Sequence, residues 1–86
     1  MSAKEIIANI KKLGLIVENE REFTELAQKN NLDLSFCNNM LTNLTNTGKI
    51  PNDNELNLYL QLLNSFLISQ KVKINIENKR VKLIKL

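Results

Sequence analysis

The stretch KVKINIENKRVKLIKL, residues 71–86, decides the fold class, because its apolar residues recur at every second position. This period of two is typical of a strand with one buried face, and after Asn78-Lys79 it resumes at Val81 and Leu83. The stretch therefore predicts a β-hairpin with strands at about 71–77 and 80–86. Its buried face would carry Val72, Ile74, Ile76, Val81 and Leu83.

The two-residue turn at Asn78-Lys79 also fixes a register. It sets Ile76 opposite Val81 and Ile74 opposite Leu83, and it pairs the charges of Glu77 and Arg80. An isolated hairpin is marginally stable in water. We therefore expect it to pack on the rest of the chain or to pair with another chain.

Upstream of the hairpin the apolar period changes to that of a helix. Four helices are predicted, at about 3–13, 20–30, 34–46 and 53–69. N-terminal capping signals precede each of them, and residues that tolerate positive φ follow the first three. The capping residues are Ser2, Asn19, Asp33 and Asn52, and the helix-ending residues are Gly14, Asn31 and Gly48. Residues 15–17 are apolar and are expected to form a buried link.

An 86-residue chain makes one domain. The predicted fold is mostly α with a C-terminal β-hairpin (α+β), in which residues 1–69 form the helical part and residues 70–86 form the basic hairpin. The fourth helix is apolar around much of its circumference, because Leu58, Leu62 and Phe66 widen its main stripe. These three residues are candidates for an interface with another subunit.

Composition excludes several kinds of chemistry. The sequence has no His and a single Cys, so imidazole acid–base catalysis, Cys/His metal sites and an intrachain disulfide are all excluded. Cys37 falls on an apolar stripe and is expected to be a core residue. The chain is also too short to build a rigid catalytic cleft, and its apolar runs are too short to span a bilayer. We expect a cytoplasmic, non-enzymatic protein without cofactors or membrane contacts.

Charge is concentrated at the C-terminal end. Residues 70–86 contain six basic residues against Glu77 alone, a net charge of +5, whereas the whole chain carries +3. The first 69 residues are therefore slightly acidic. Any affinity for a polyanion should come from the hairpin.

The segment FTELAQKNNLDLSFCNNM, residues 23–40, contains a pattern that suits two helices crossing at a tight turn. It has a small residue at the crossing, a turn residue, three apolar residues and a capping residue, which are Ala27, Asn31, Leu32, Cys37, Met40 and Asp33. The segment resembles the helix-turn-helix superfamily of DNA-binding proteins. TGKIPN, residues 47–52, is similar to the junction before the fourth helix in the Cro/C1 repressor-like family. The spacing of Leu41, Leu44, Gly48 and Ile50 is similar to that of winged-helix proteins, whose wing is a basic hairpin.

The resemblance spans about a third of the chain and implies a dimeric DNA-binding regulator. In that case the third helix would present hydroxyl and amide groups to base edges, while basic residues would contact phosphates. The base-reading candidates are Ser35, Asn38, Asn39, Thr42 and Asn43. The phosphate-binding candidates are Lys49, Lys71, Lys73, Lys79, Arg80 and Lys82.

The sequence departs from this family in the charge of the motif. Residues 19–48 contain two basic residues against four acidic ones, whereas DNA affinity depends on Lys and Arg. The alternative is a protein-interaction module that binds a partner, or a second copy of itself, through the apolar fourth helix or the free hairpin edge. In that case the hairpin lysines would serve to discourage unwanted strand pairing.

Overall fold

The computed structural model describes residues 3–86, so the predicted capping residue Ser2 lies outside the described part. Four α-helices and a three-stranded sheet make up the fold, which is α+β and mostly helical as predicted. The elements are α1 (Ala3–Lys12), β1 (Ile16–Val17), α2 (Glu20–Lys29), α3 (Ser35–Thr45), α4 (Asp53–Leu67), a 3₁₀ turn (Ile68–Gln70), β2 (Val72–Glu77) and β3 (Arg80–Lys85).

Two of the predicted helix caps are confirmed. Asn19 accepts a hydrogen bond from the backbone N–H of Glu22, and Asn52 forms a reciprocal capping box with Glu55. The third predicted cap, Asp33, lies one residue before the observed N-cap, because α3 begins at Ser35 and its N-cap is Leu34. Asp33 Oδ1 still accepts a hydrogen bond from the Ser35 N–H at 3.1 Å. The predicted start of α3 at residue 34 was therefore one residue early.

Positive φ angles occur at the predicted turns. Asn31 (φ 48°) separates α2 from α3, and Gly14 (φ 81°) and Gly48 (φ 72°) follow α1 and α3. A further left-handed residue, Lys71 (φ 64°), ends the 3₁₀ turn. The first hairpin strand consequently begins at Val72 rather than at Lys71.

The hairpin has the predicted register. Ile76 faces Val81 and Ile74 faces Leu83 across antiparallel strands. The turn residues Asn78 and Lys79 both have positive φ, as a two-residue type I′ turn requires.

A third strand, β1, was not predicted. It pairs in parallel with β3, so the sheet order is β1-β3-β2. The Ile16 N–H donates to the Lys79 carbonyl and the Glu18 N–H to the Val81 carbonyl. The expected buried link at residues 15–17 is wrong at Ile16, which is 56% exposed on the outer face of the sheet. Two residues are too few to reveal an alternating pattern.

The core lies between the helices and the inner face of the sheet. Helix α1 packs against α2, α3 and β1, and α4 packs along β2. Ile6, Leu67, Val72, Val81 and Cys37 are the largest fully buried side chains among the described residues. This arrangement leaves one face of α3, one stripe of α4 and the outer face of the sheet in contact with solvent.

Candidate nucleic-acid interface

Helix α3 presents a solvent strip without charge. Ser35, Asn39 and Asn43 are exposed, and the 11 residues of α3 include neither acidic nor basic side chains. These three residues keep their predicted place on the open face of the helix. Their hydroxyl and amide groups can donate and accept hydrogen bonds at a ligand edge.

The other two α3 candidates face α1: Asn38 is buried, so its predicted exposure was wrong, and Thr42 is half-buried. Asn38 is only 8% exposed, and its Oδ1 accepts a hydrogen bond from Asn9 Nδ2 at 2.8 Å. Asn9 Nδ2 also donates to Thr42 Oγ1 at 3.1 Å, and Asn38 Nδ2 donates to Glu5 Oε2 at 3.1 Å. This network is committed to the α1–α3 contact and is not available to a ligand.

Sequence reasoning missed Asn9, which is 7% exposed and lies within the apolar stripe of α1. Its position between Ile6 and Ile10 was the available signal. A buried amide needs a hydrogen-bond partner, and α3 offered polar residues at helical spacing. That requirement predicts that an amide side chain of α3 turns inward to bond Asn9.

The residues on which the sequence resemblance rests differ in burial. Ala27 and Cys37 are buried, Leu32 and Met40 are half-buried, and Asn31 makes the left-handed turn. Hydrogen bonds from the Ser35 backbone and hydroxyl hold the pKa of Asp33 below its ordinary value. Burial, together with the charge of Asp33, raises the pKa of Cys37 to about 11, so its thiol stays protonated and unreactive at neutral pH.

The hairpin cations occupy three places. Arg80, Lys82 and Lys73 point outward from the sheet, because their strand neighbours Val81, Leu83 and Ile74 point into the core. Lys82 faces Asn75, and Lys73 is its diagonal neighbour on β2. Neighbouring side chains in this row are separated by roughly 7 Å. We call these three residues the sheet row.

Two of the remaining candidate cations lie at the two ends of the hairpin, and the third follows α3. Lys71 adjoins Gln70, whose side-chain amide exchanges two hydrogen bonds with the backbone of Asp33 just before α3. Lys79 is at the hairpin tip, where it lines a depression with Asp53 of α4. Lys49 follows the C-terminal end of α3 and is exposed. Lys71 and Lys49 therefore flank the two ends of α3.

The hairpin cations form no ion pairs with the described residues. Within residues 3–86, ion pairs of 4.0 Å or less join Lys11 to Glu20 and Arg21 to Glu25, all outside the hairpin. The predicted charge pair between Glu77 and Arg80 is not formed at this distance, although the two residues are register partners. Two of the acidic side chains of α2 are thus partly neutralised, while the sheet row is not.

The solvent strip of α3 and the sheet row lie on different sides of the core. Leu41 and Leu44 of α3 line the same interior space as Ile74, Ile76 and Val81 of the sheet. Because both elements turn their buried faces toward this space, their solvent faces point outward in different directions. The predicted DNA-binding residues therefore do not form one continuous surface.

The outer edge of β2 is closed at its centre. Asn64 of α4 donates from Nδ2 to the Ile74 carbonyl at 2.9 Å, and its Oδ1 accepts from the Ile74 N–H at 2.7 Å. The side-chain amide thus takes the place of a neighbouring strand. Strand addition at this edge, one route considered for a protein-interaction module, is blocked at Ile74.

The three predicted interface residues on α4 differ in how exposed they are. Leu58 is 62% exposed and Leu62 is 52% exposed, whereas Phe66 is half-buried and stacks on Phe36 of α3 with ring centroids 4.9 Å apart. Phe36 is itself 45% exposed. Together these side chains form a continuous apolar stripe, which we call the α4 stripe.

Comparisons with known proteins add no relative: no protein-family model, curated protein or solved structure matches this chain. None of the helices in residues 3–86 is long and apolar enough to cross a membrane. The same residues contain no group of three or more His, Cys, Asp or Glu side chains placed to hold a metal ion.

Proposed function

We propose that this protein is a non-enzymatic, cytoplasmic regulator that binds duplex DNA, with its affinity coming from the sheet row. The observation that carries the proposal is the placement of Arg80, Lys82 and Lys73 on one outward face, without ion-pair partners among the described residues. Lys71, Lys79 and Lys85 add further positive charge at the ends of the hairpin.

Phosphate neutralisation is the physical basis of this affinity. Each Lys or Arg that contacts a phosphate releases condensed counterions, which makes binding weaken as salt rises. Three such contacts give a slope of log K against log salt of about −2.7, and the end cations would steepen it. Three carboxylates border the row: Glu77 faces Arg80, and Glu18 and Glu22 line a depression with Lys82. They reduce the potential without pairing with the cations.

The α3-centred form of the proposal follows the helix-turn-helix resemblance. Ser35, Asn39 and Asn43 would contact base edges, and Lys49 and Lys71 would hold phosphates on either side. Its support is the exposure of the α3 strip and the position of these two lysines at opposite ends of the helix. Because the strip carries no charge, this surface supplies selectivity better than affinity.

The test is a titration of fluorescently labelled duplex DNA with the purified protein at about 50 and 200 mM salt. The proposal predicts binding at the lower salt and an affinity that falls by roughly fortyfold at the higher, as a slope near −2.7 requires. Absence of binding at low salt, or affinity independent of salt, would show that the protein does not act through DNA.

A protein-interaction module is the second candidate function. The exposed Leu58 and Leu62 favour it, because large apolar residues are clustered there next to an aromatic pair. The hairpin edge does not, because Asn64 covers its centre.

A further inference from the structure

We infer that the edge of β3 beyond the end of β1, at Leu83 and Lys85, binds an extended peptide segment that carries a lysine or arginine side chain. We call these two positions the open β3 edge. It lies on the side of the hairpin opposite the β2 edge that Asn64 closes. The inference is independent of DNA binding.

The pairing of β2 with β3 fixes the direction of the backbone groups at this edge. Ile74 uses both its N–H and its carbonyl for Asn64, so it forms no backbone hydrogen bonds with its register partner Leu83. In antiparallel pairing, the backbone groups of such a residue point away from the partner strand. Those of Leu83 therefore point to the side on which β1 lies. Val81 has the same orientation, and its carbonyl accepts from the Glu18 N–H at 2.9 Å.

Strand β1 ends before it can pair with Leu83. The chain turns away at Asn19, whose side chain caps α2, and pairing with β3 stops at the Glu18 N–H. Within residues 3–86, the backbone of Leu83 has no hydrogen-bond partner on this side. Leu83 is only 5% exposed, and backbone groups at such depth are usually paired. A neighbouring extended segment would supply a donor and an acceptor for them.

A depression of about 270 Å³ lies beside Leu83, between β3 and the start of α2. It is lined by Glu18, Asn19, Glu22, Phe23, Lys82 and Leu83. Lys85 has the same backbone orientation as Leu83 and lies about 7 Å further along the strand. A segment of about three extended residues would therefore match the backbone groups of the open β3 edge.

The charges around the depression favour a basic side chain in the bound segment. Glu18 and Glu22 contribute two carboxylates, whereas Lys82 contributes one cation. Neither glutamate forms an ion pair of 4.0 Å or less with the described residues, and Glu22 bonds Asn19 at the start of its own helix. A lysine or arginine of the segment would be attracted to both carboxylates, and an acidic side chain would be repelled by them.

The experiment is a titration of the isotope-labelled full chain with two capped peptides, followed by nuclear magnetic resonance. One peptide is acetyl-Thr-Val-Lys-Val-Thr-amide, and the other has Glu in place of Lys. The inference predicts that the Lys peptide moves the amide signals of Leu83 and Lys85. The Glu peptide should bind at least about fivefold more weakly at low salt. Unmoved signals with the Lys peptide, or equal affinity for both peptides, would overturn the inference.

The charge requirement is tested with two matched double variants. Glu18→Gln, Glu22→Gln should weaken binding of the Lys peptide by about fivefold. Glu20→Gln, Glu25→Gln removes the same charge from a different depression, between α1 and α2, and should weaken binding by less than about twofold. Equal losses in the two double variants would contradict the location of the site.

Backbone pairing is tested at Lys85, whose N–H points away from β2. Lys85→Pro removes this donor without removing a hydrogen bond of the hairpin, and Lys85→Gln keeps the donor at the same charge. The Pro variant should bind the Lys peptide about fivefold more weakly than the Gln variant. Equal affinity would rule out strand addition. All of these titrations are made without DNA, so their failure is distinct from failure of the proposed function.

Discussion

The outer face of the sheet and the solvent strip of α3 are both polar, but they differ in what they can bind. The sheet row carries three cations without ion-pair partners, and the α3 strip carries only hydroxyl and amide groups. Amides can discriminate one hydrogen-bonding edge from another, but they release no counterions. The proposed function therefore assigns affinity for DNA and recognition of its sequence to different sides of this molecule.

The largest effect should come from neutralising the sheet row. The triple variant Lys73→Gln, Arg80→Gln, Lys82→Gln should lose on the order of a hundredfold in DNA affinity at low salt, because three charged contacts are removed. The double variant Asn39→Ala, Asn43→Ala should change affinity for random-sequence duplex by less than about threefold. Fluorescence anisotropy with one duplex measures both. The reverse ranking would move the binding surface to α3.

The next effect separates the buried amide network between α1 and α3 from the exposed amides of α3. Asn9→Ala removes the donor that serves both Asn38 and Thr42, so we expect a loss of about 1–3 kcal/mol in the free energy of unfolding. Asn39→Ala, on the solvent strip, should stay within about 0.5 kcal/mol of wild type. Urea denaturation checks both variants. Equal stabilities would show that the Asn9 network does not support the α1–α3 contact.

A comparable but smaller loss is expected on the sheet side. Asn64→Ala frees the N–H and carbonyl of Ile74 at the edge of β2 and should cost about 1–2 kcal/mol of unfolding free energy. Ser65→Ala is the matched control, because its hydroxyl is exposed and bonds only within α4. Light scattering on Asn64→Ala should also show concentration-dependent association through the opened edge. A stability equal to that of Ser65→Ala would contradict the proposed edge protection.

The smallest effect concerns the carboxylate beside the sheet row. Glu77→Gln removes a negative charge opposite Arg80 and should strengthen DNA binding by about threefold at low salt, with less gain at high salt. Glu25→Gln, on α2, is the control and should change affinity less. Weaker binding of Glu77→Gln would indicate that Glu77 positions Arg80 rather than opposing the ligand.

The hairpin was the most predictable part of the structure, because a period of two, a two-residue turn and a buried face all favour one register. The helices followed from apolar spacing and from the caps at Asn19 and Asn52. Strand β1 could not be predicted, since two residues carry no period. The orientation of Asn38 was also beyond a single-helix analysis, because it depends on Asn9, 29 positions away in the sequence.

The candidate site was less predictable than the fold. Residue type identified the basic residues and the amides, but not which surfaces they share. The separation of α3 from the sheet row arises from packing around a common interior space, and no local pattern encodes it. Charge at the hairpin was readable from the sequence, while the absence of the Glu77–Arg80 ion pair required side-chain positions.

The most direct test is the slope of log affinity against log salt, measured for wild type and two variants with duplex DNA. The triple variant of the sheet row should reduce the magnitude of the slope by about 2.7, and Lys49→Gln, Lys71→Gln by no more than about 1. That result would place the phosphate contacts on the outer face of the sheet. An unchanged slope in the triple variant, with the larger reduction in the α3-flanking pair, would contradict the account.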